Sequence, residues 1–423
     1  MPSRLRVAVL GAGLAGLAAA WLIGRRHEVT LFERQPRPGF TAASVSVPGP
    51  GAASCRVDVP LRVFYPGYYP TLLRLYRALG AAVQPVSYAS TFEDARGERY
   101  FRYRNLRLGG RSWSWVAPAD LLQPAARRIV ADALRFHRDT RAARDAGALG
   151  ERSVGDLVRA HDYAGDFVDG LLLPAICTVC TCSPAQALRM PAAVVADYLL
   201  RGLAGDAVHR ARHGADDVQQ RLLGGIATLR CGVAVAAVRA DEGGAALRFD
   251  DGRVERFDHA VLAAPPHHAG RLVQDGAPQE AALLLRFRLE PVQVLTHRDA
   301  SFMPRRRSDW SPVNLRLADG DAAPQSTIWL NAVQPDLRGG APLFQTVHPQ
   351  AEPAEGTLLG RARFERPVVD ADSQRALQAL LQLQAQPGRR LWFCGSYANA
   401  GVPLLESAAR SAAEVAARLG AGF

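Results

Sequence analysis

The sequence predicts an α/β chain in which a parallel sheet, with a small antiparallel meander attached, carries an inserted α+β unit. Three stretches carry that prediction. Residues 6–33 read as strand, glycine turn, helix and strand; residues 223–265 as short strands ending in Ala-Pro-Pro; residues 390–419 as strand, glycine turn and helix. At 423 residues the chain exceeds one ordinary domain, which leaves room for the insertion.

In the first stretch, Arg6-Val-Ala-Val-Leu-Gly11-Ala-Gly13-Leu-Ala-Gly16 is a short apolar strand running into a G-x-G-x-x-G turn. His27-Glu-Val-Thr-Leu-Phe-Glu33 is a second strand closing on an acid. Gly11 permits the tight turn, Gly13 lets the backbone approach a pyrophosphate, and Gly16 lets the helix pack close to the strand. The helix start at Leu14 and Ala15 offers unpaired N–H groups and a positive dipole end. Glu33 can accept hydrogen bonds from both ribose hydroxyls of an adenosine. A glycine-rich packing turn would explain the glycines but not Glu33, so the stretch reads as a dinucleotide site. Its basic start and uncharged run over 7–24 imitate a signal peptide or a membrane span. The glycine spacing and the acidic strand account for the same residues better, and no other run approaches membrane length. A soluble, cytoplasmic protein is expected, with peripheral membrane contact left open.

The second stretch begins at Leu223-Gly-Gly225, and residues 227–235 read as one strand. A turn at Asp241-Glu-Gly-Gly244 and the Asp251-Gly252 hairpin signal separate the next two strands. His259-Ala-Val-Leu-Ala-Ala-Pro265 then reads as a buried strand, with His267-His268 in a loop at the sheet end. In the third stretch, Arg390-Leu-Trp-Phe-Cys-Gly395-Ser-Tyr397 is a strand closing on glycine. A turn through Gly401 and a long Ala-rich helix over 404–419 follow. That unit can aim backbone N–H groups at the far end of a cofactor; a capping helix without a ligand is the alternative.

Composition narrows the chemistry. The chain is 48% hydrophobic and 22% charged, ordinary for a soluble enzyme, with a formal charge of +11. All 51 basic residues are arginine. They are scattered except for Arg305-Arg306-Arg307 and come with no aromatic stacking platform, so no nucleic-acid partner is expected. The triple arginine reads as solvated surface or as a patch facing a carboxylate or phosphate. Without lysine there is no Schiff-base chemistry and no ammonium acid or base. Cys177-Thr-Val-Cys180-Thr-Cys182 invites a metal or redox reading, but no second ligand pair stands nearby and the flanks are apolar. Buried packing thiols, some near a substrate cavity, and no metal are expected.

Together the three pieces resemble the FAD-binding fold of the flavin-containing amine oxidase and phytoene-desaturase superfamily. The chain is most similar to the bacterial branch of predicted NAD/FAD-binding oxidoreductases, some of which act as fatty-acid desaturases. Arg37-x-Gly39, Val57-Asp58, Tyr69-Pro70, Leu72, Leu79-Gly80, Ser87-Tyr-Ala-Ser-Thr-Phe92, His297-x-Asp299, Met303-Pro304-Arg305-Arg306, Asp309-Trp310-Ser311, Phe364 to Pro367 and Phe393-x-Gly395 carry the likeness along the chain. The resemblance implies a Rossmann-like FAD-binding domain made of 1–70, 220–270 and 385–423. A substrate-binding domain would comprise 71–219 and 271–384. It implies FAD held by Gly11, Gly13, Leu14, Ala15, Gly16, Glu33 and Arg34, with Arg37 and Gly39 along the pyrophosphate and Val235 at the adenine. Gly395 and Ser396 would touch the pyrophosphate or ribityl chain, and the turn through Val402, Leu404 and Leu405 would lie under the isoalloxazine.

There are departures. Arg37-Pro-Gly39-Phe40 replaces R-x-G-G, and Leu405-Glu406-Ser407-Ala408 stands where the branch often has His-Glu-Asp-Gly. The lysine that amine oxidases use to hold a water near flavin N5 is missing. What remains fits hydride transfer from a largely apolar, small-molecule substrate to flavin N5, with water excluded. An acyl chain or a natural-product intermediate would be dehydrogenated or have its double bonds rearranged. A C–N oxidase acting on an amine or amino acid is the second reading, and a flavin-binding protein without turnover the third. Tyr68, Tyr69, His297, Asp299, Trp310 and Asn314 are the candidates for placing the substrate, with His297, Asp299, Tyr69 and Trp310 as the catalytic set. If 292–299 is extended, His297 and Asp299 share one side of a strand; a core histidine beside a surface Arg–Asp pair is the alternative.

Overall fold

A computed structural model describes residues 4–48, 54–108, 111–202 and 207–423. Its centre is a five-stranded parallel sheet in the order Thr228–Cys231, Glu28–Glu33, Arg6–Leu10, His259–Leu262, Leu391–Phe393. Val7 to Leu10 are all buried, as the near-continuous apolar run of a strand covered on both faces requires. One face packs the helix Leu14–Gly24, which is buried on nearly every side because the helix Leu405–Arg418 covers it in turn. Helices Pro70–Ala78 and Gly214–Leu223 join the same core. The other face carries the antiparallel meander Val235–Asp241, Gly244–Phe249, Val254–Phe257 and the helices Pro266–Val273 and Ala371–Ala385.

Two sequence expectations are corrected here. Residues 227–235 are not one strand. The chain turns at Gly232 (φ +70°), whose N–H donates to the Gln35 carbonyl at 2.9 Å while Val233 N–H donates to the Glu33 carbonyl at 3.1 Å. Thr228–Cys231 therefore joins the parallel sheet, and the meander begins only at Val235. His267 and His268 lie not in a loop but in the first turn of the helix Pro266–Val273, where Pro266 occupies a position whose N–H would have had no intrahelical partner.

The second body is an eight-stranded sheet in the order Leu358–Pro367, Leu289–His297, Phe344–Val347, Gln325–Trp329, Val313–Arg316, Ser90–Glu93, Arg99–Leu108, Arg111–Trp115. A helical lobe containing Pro124–Asp145, Leu173–Cys180 and Ala192–Gly202 has its own apolar core. Among the described residues no helix is long and apolar enough to cross a membrane.

Candidate functional site

Register brings the predicted cofactor residues to one edge. Leu10 lies opposite Leu262, and Leu262 opposite Phe393, so Gly11, Ala263 and Cys394 leave three neighbouring parallel strands on the same side. The carboxyl ends of parallel strands are where such sheets bind ligands. Gly11 has φ +104°, and a Cβ there would lie 2.7 Å from the Ala263 carbonyl oxygen. A Cβ on Gly16 would lie 1.8 Å from the Gly11 carbonyl oxygen. A Cβ on Gly13 would meet nothing within 4 Å: the space beside the helix start is open. Gly13 caps that helix without a side-chain hydrogen bond, and its first turn holds no acid. The helix end that starts at Leu14 and Ala15 is thus uncapped and electropositive.

Glu33 closes the other side of this opening. Its Oε2 accepts the Ala12 N–H at 2.8 Å and its Oε1 the Gln35 N–H at 2.9 Å. Each oxygen keeps a lone pair for a further donor, so the anchored carboxylate can take two ribose hydroxyls. The bonds from Gly232 and Val233 bring the chain toward Val235 past this carboxylate. The segment after Glu33 folds back over the glycine turn. Phe40 N–H donates to the Ala12 carbonyl at 3.2 Å, placing Gly39 beside Gly13. Arg34 and Arg37 are exposed, and Arg37 donates to the Ala42 carbonyl at 3.3 Å.

The far end is built by the C-terminal turn. Half-buried Gly395 and Ser396 follow the last strand, and the Gly395 N–H donates to Ser411 Oγ at 3.0 Å. Gly401 (φ +99°) turns the chain, and Val402 N–H donates to the Tyr68 hydroxyl at 2.9 Å. Ser407 Oγ donates back to the Val402 carbonyl at 2.8 Å. Leu404 and Leu405, both half-buried, begin a helix with no side-chain cap. Glu406 instead reaches across to the helix Pro70–Ala78, accepting from the N–H groups of Thr71 (3.1 Å) and Leu72 (2.9 Å).

Aromatic rings surround this turn. Tyr68 packs edge-on against Tyr69 (5.3 Å between centroids) and Tyr198 (4.8 Å). Burial pushes the Tyr68 phenol up to about 12 and raises Tyr69 and Tyr198 as well, so all three stay protonated at neutral pH. Beside the turn lies a narrow cleft whose enclosed space is only about 20 Å³. Val402, Pro403, Met190, Pro367, Val368 and Val369 supply its apolar lining, and Cys180, Thr181, Cys182, Gln186, Glu290 and Arg366 its polar groups.

Residues 9–79 match the family described as NAD(P)-binding Rossmann-like domain. The fold as a whole is similar to cyclohexylamine oxidase from Brevibacterium oxydans IH-35A, at 16% identity and a TM-score of 0.65, covering 99% of this chain and 100% of that one. Wild-type putrescine oxidase bound to putrescine gives 16% identity and a TM-score of 0.63, covering 99% of each chain. Reduced UDP-galactopyranose mutase gives 13% and 0.63, covering 99% of this chain and 94% of that one. The chain shares its overall fold with these two oxidases and this mutase.

On this fold the residues expected to handle substrate fall into two groups. Tyr68 and Tyr69 lie at the C-terminal turn, in the core shared with the parallel sheet. His297, Trp310 and Asn314 lie in the eight-stranded sheet and its adjoining loop. His297 is fully buried, its Nε2 paired with Thr346 Oγ1 at 2.8 Å and its ring against Phe302 at 4.5 Å. Burial lowers it to about 4, so it is neutral at physiological pH. His297 and Asp299 do not share a side of one strand, because the strand Leu289–His297 ends at the histidine. Asp299 lies in the loop beyond, accepting the N–H groups of Ser301 (2.9 Å) and Ala354 (2.8 Å). Trp310 Nε1 donates to the Pro304 carbonyl at 2.8 Å, under the Arg307 guanidinium. Asn314 is buried and bonded to the backbone of Ser311. Exposed Arg305 pairs with Glu98 at 3.1 Å. Sequence reasoning marked the stretch from Phe364 to Pro367 but not the place of Arg366 and Glu290 in the cleft, and it missed the helix-capping role of Glu406.

Proposed function

We propose that this protein is an FAD-dependent oxidoreductase that dehydrogenates a largely apolar organic substrate or moves its double bonds. The single observation that supports the substrate class is the narrow cleft beside the C-terminal turn, where Val402, Pro403, Met190, Pro367, Val368 and Val369 form an apolar wall opposite the polar groups of Gln186, Glu290 and Arg366. Such a lining binds by burial, at about 25 cal/mol per Å² of apolar surface. Glu33, the open backbone at Gly13 and the Arg37–Gly39 loop would hold the adenosine and pyrophosphate, with the turn from Gly401 to Leu405 at the other end. When bound there, FAD supplies a two-electron hydride acceptor.

The chain's own residues set what else the site can do. Tyr68 fixes the turn through Val402, and its phenol and that of Tyr69 stay protonated, so they donate hydrogen bonds and do not act as bases at neutral pH. The Cys180 thiol is likewise held protonated by burial. These groups orient a substrate and keep water out, which suits removal of hydride from carbon without a strong base facing it. No lysine is available to hold a water in the manner of an amine oxidase.

Anaerobic mixing tests this reading: acyl-type or polyene-type substrates should bleach the flavin, while benzylamine, spermine and common L-amino acids should not. The second reading, oxidation of a C–N bond, is favoured by the amine oxidase names of two similar structures. Rapid bleaching by any of those amines, with peroxide formed on readmitting oxygen, would establish it instead.

A further inference from the structure

Tryptophan and arginine share one uncovered face of the eight-stranded sheet. The strand Arg111–Trp115 is the last in that sheet and pairs with Arg99–Leu108. In this register Leu106 stands opposite Trp113, and Arg104 opposite Trp115. Directly opposed residues of an antiparallel pair project to the same side, as do residues two apart on one strand. Leu106, Trp113 and Trp115 are 56%, 43% and 42% exposed, so this side of the strand pair lies open. Of the six tryptophans in the chain, only these two are exposed. The Arg104 guanidinium stands 6.0 Å from the centre of the Trp115 ring.

The triple arginine belongs to the same face. Arg102, two residues before Arg104, donates to the Ser308 carbonyl at 2.8 Å, which sets the loop of Arg305, Arg306 and Arg307 beside the strand pair. Carboxylates are present but already matched. Arg99 takes Asp120 (2.8 Å) and Asp309 (3.1 Å), and Arg305 takes Glu98 (3.1 Å). Arg104, Arg306 and Arg307 are exposed, and among the described residues no carboxylate lies within 4.0 Å of them. The pair of Arg99 with Asp120 also holds the short turn Asp120–Leu122 next to this face, and Leu122 is largely exposed there.

Contiguous apolar side chains rimmed by polar ones mark an interaction site. We propose that this face docks the protein on an anionic phospholipid surface, with Trp113, Trp115 and Leu106 entering the headgroup layer and Arg104, Arg306 and Arg307 meeting lipid phosphates. Indole is favoured at that depth because its ring is apolar while its N–H stays wet. Each unmatched arginine adds attraction to the negative surface, in keeping with the formal charge of +11. Leu106 favours a bilayer over a single-stranded nucleic acid, since a leucine beside Trp113 adds apolar area but no stacking surface. A second copy paired edge to edge would set the same unmatched arginines against each other. The inference does not depend on the cofactor or on the substrate.

Flotation of the full-length protein with vesicles tests this, using phosphatidylcholine alone or mixed equally with phosphatidylglycerol. The mixed vesicles should carry the protein at low ionic strength and release it as salt is raised, whereas phosphatidylcholine alone should not carry it. Tryptophan emission should shift to the blue on the mixed vesicles. Trp113→Ser/Trp115→Ser should bind about tenfold more weakly or worse and lose the shift. Thermal unfolding establishes that this variant is folded. Arg104→Glu/Arg306→Glu, which keeps every tryptophan, should lose binding too, and Leu285→Ser, at an exposed leucine elsewhere, should bind as the parent does. A parent that does not float, either double variant floating as the parent does, or an equal loss in Leu285→Ser would overturn the proposal. Equal binding to both kinds of vesicle would overturn the anionic assignment. Tighter binding of oligodeoxythymidylate than of the mixed vesicles would give the face to a nucleic acid. A dimer abolished by the same two double variants, in a protein that does not float, would give it to a second copy.

Discussion

Glu406 and Leu72 join the two ends of the site's framework: the buried Glu406 carboxylate accepts the Leu72 N–H at 2.9 Å and the Thr71 N–H at 3.1 Å. An acid in the first turn of one helix thereby caps the start of another. The cap also ties Tyr68 and Tyr69, which immediately precede that helix, to the turn they surround. Glu406→Ala leaves two backbone donors without their partner and should cost about 2–4 kcal/mol, at roughly 1–2 for each charged hydrogen bond. Glu406→Gln should cost less. Denaturant unfolding of the three proteins measures this, and equal stability of Glu406→Ala and the parent would remove the cap from the account.

Glu33→Ala should release FAD. Two ribose hydrogen bonds to an ionised acceptor are worth about 3–6 kcal/mol together, a hundredfold or more in affinity. Titration of stripped protein with FAD, followed by flavin fluorescence, reads the change directly. Unchanged affinity would mean that the Glu33 carboxylate serves only Ala12 and Gln35.

Gly401 and Tyr68 should behave as a coupled pair. A Cβ at Gly401 would lie 2.6 Å from the Tyr68 hydroxyl, and the residue has φ +99°. Gly401→Ala therefore suffers a clash and backbone strain, while Tyr68→Phe deprives the Val402 N–H of its acceptor, at about 1–3 kcal/mol. Removing the hydroxyl relieves the clash, so the double variant should lose less stability than the sum of the singles. Strict additivity by thermal unfolding would refute the coupling.

The parallel sheet and the glycine turns were legible because each depends on local chemistry. Gly11 and Gly16 sit where any other residue would collide with backbone, and Glu33 is anchored within its own strand–turn–helix unit. What was not legible depends on distant register. Arg366 is one of 51 arginines, and nothing near it in sequence indicates that Glu290 lies opposite, or that Gln186 and Thr181 draw the pair apart. The break at Gly232 was hidden for a related reason: the turn there is held by the carbonyls of Glu33 and Gln35, remote in sequence. For Asp299 the condition of an extended 292–299 fails, since the strand ends at His297 and the carboxylate bonds the backbone of Ser301 and Ala354, which leaves the alternative of a core histidine beside a loop acid.

His297 should make stability fall in mild acid. Its folded pKa, about 4, lies below the ordinary value of 6.5, so the unfolded chain binds more protons between those limits. Stability from this group is fully present above about pH 6.5 and is lost as pH falls toward 4. The maximal loss is on the order of 3 kcal/mol. His297→Gln, which cannot charge, should flatten that part of the melting temperature–pH profile. Parallel profiles for the two proteins would place the acid sensitivity elsewhere.

Cys177, Cys180 and Cys182 should hold no metal. A hydrogen bond with Cys182 and then burial raise the Cys177 thiol, and burial raises that of Cys180, whereas a ligand must be a thiolate. Stoichiometric zinc or iron in the native protein, lost on triple Cys→Ser substitution, would contradict this.

The interleaved strand order has a consequence for synthesis. The strand Arg6–Leu10 lies between Glu28–Glu33, made almost at once, and His259–Leu262, made far later; Leu391–Phe393 and the helix over Leu14–Gly24 come later still. A nascent chain on the ribosome thus exposes an apolar strand edge and an Ala/Leu-rich helix until most of translation is done. Productive assembly of this protein should therefore depend on holding that early segment away from other chains, and its yield should respond to chaperone supply and to translation speed more than to the stability of the finished fold.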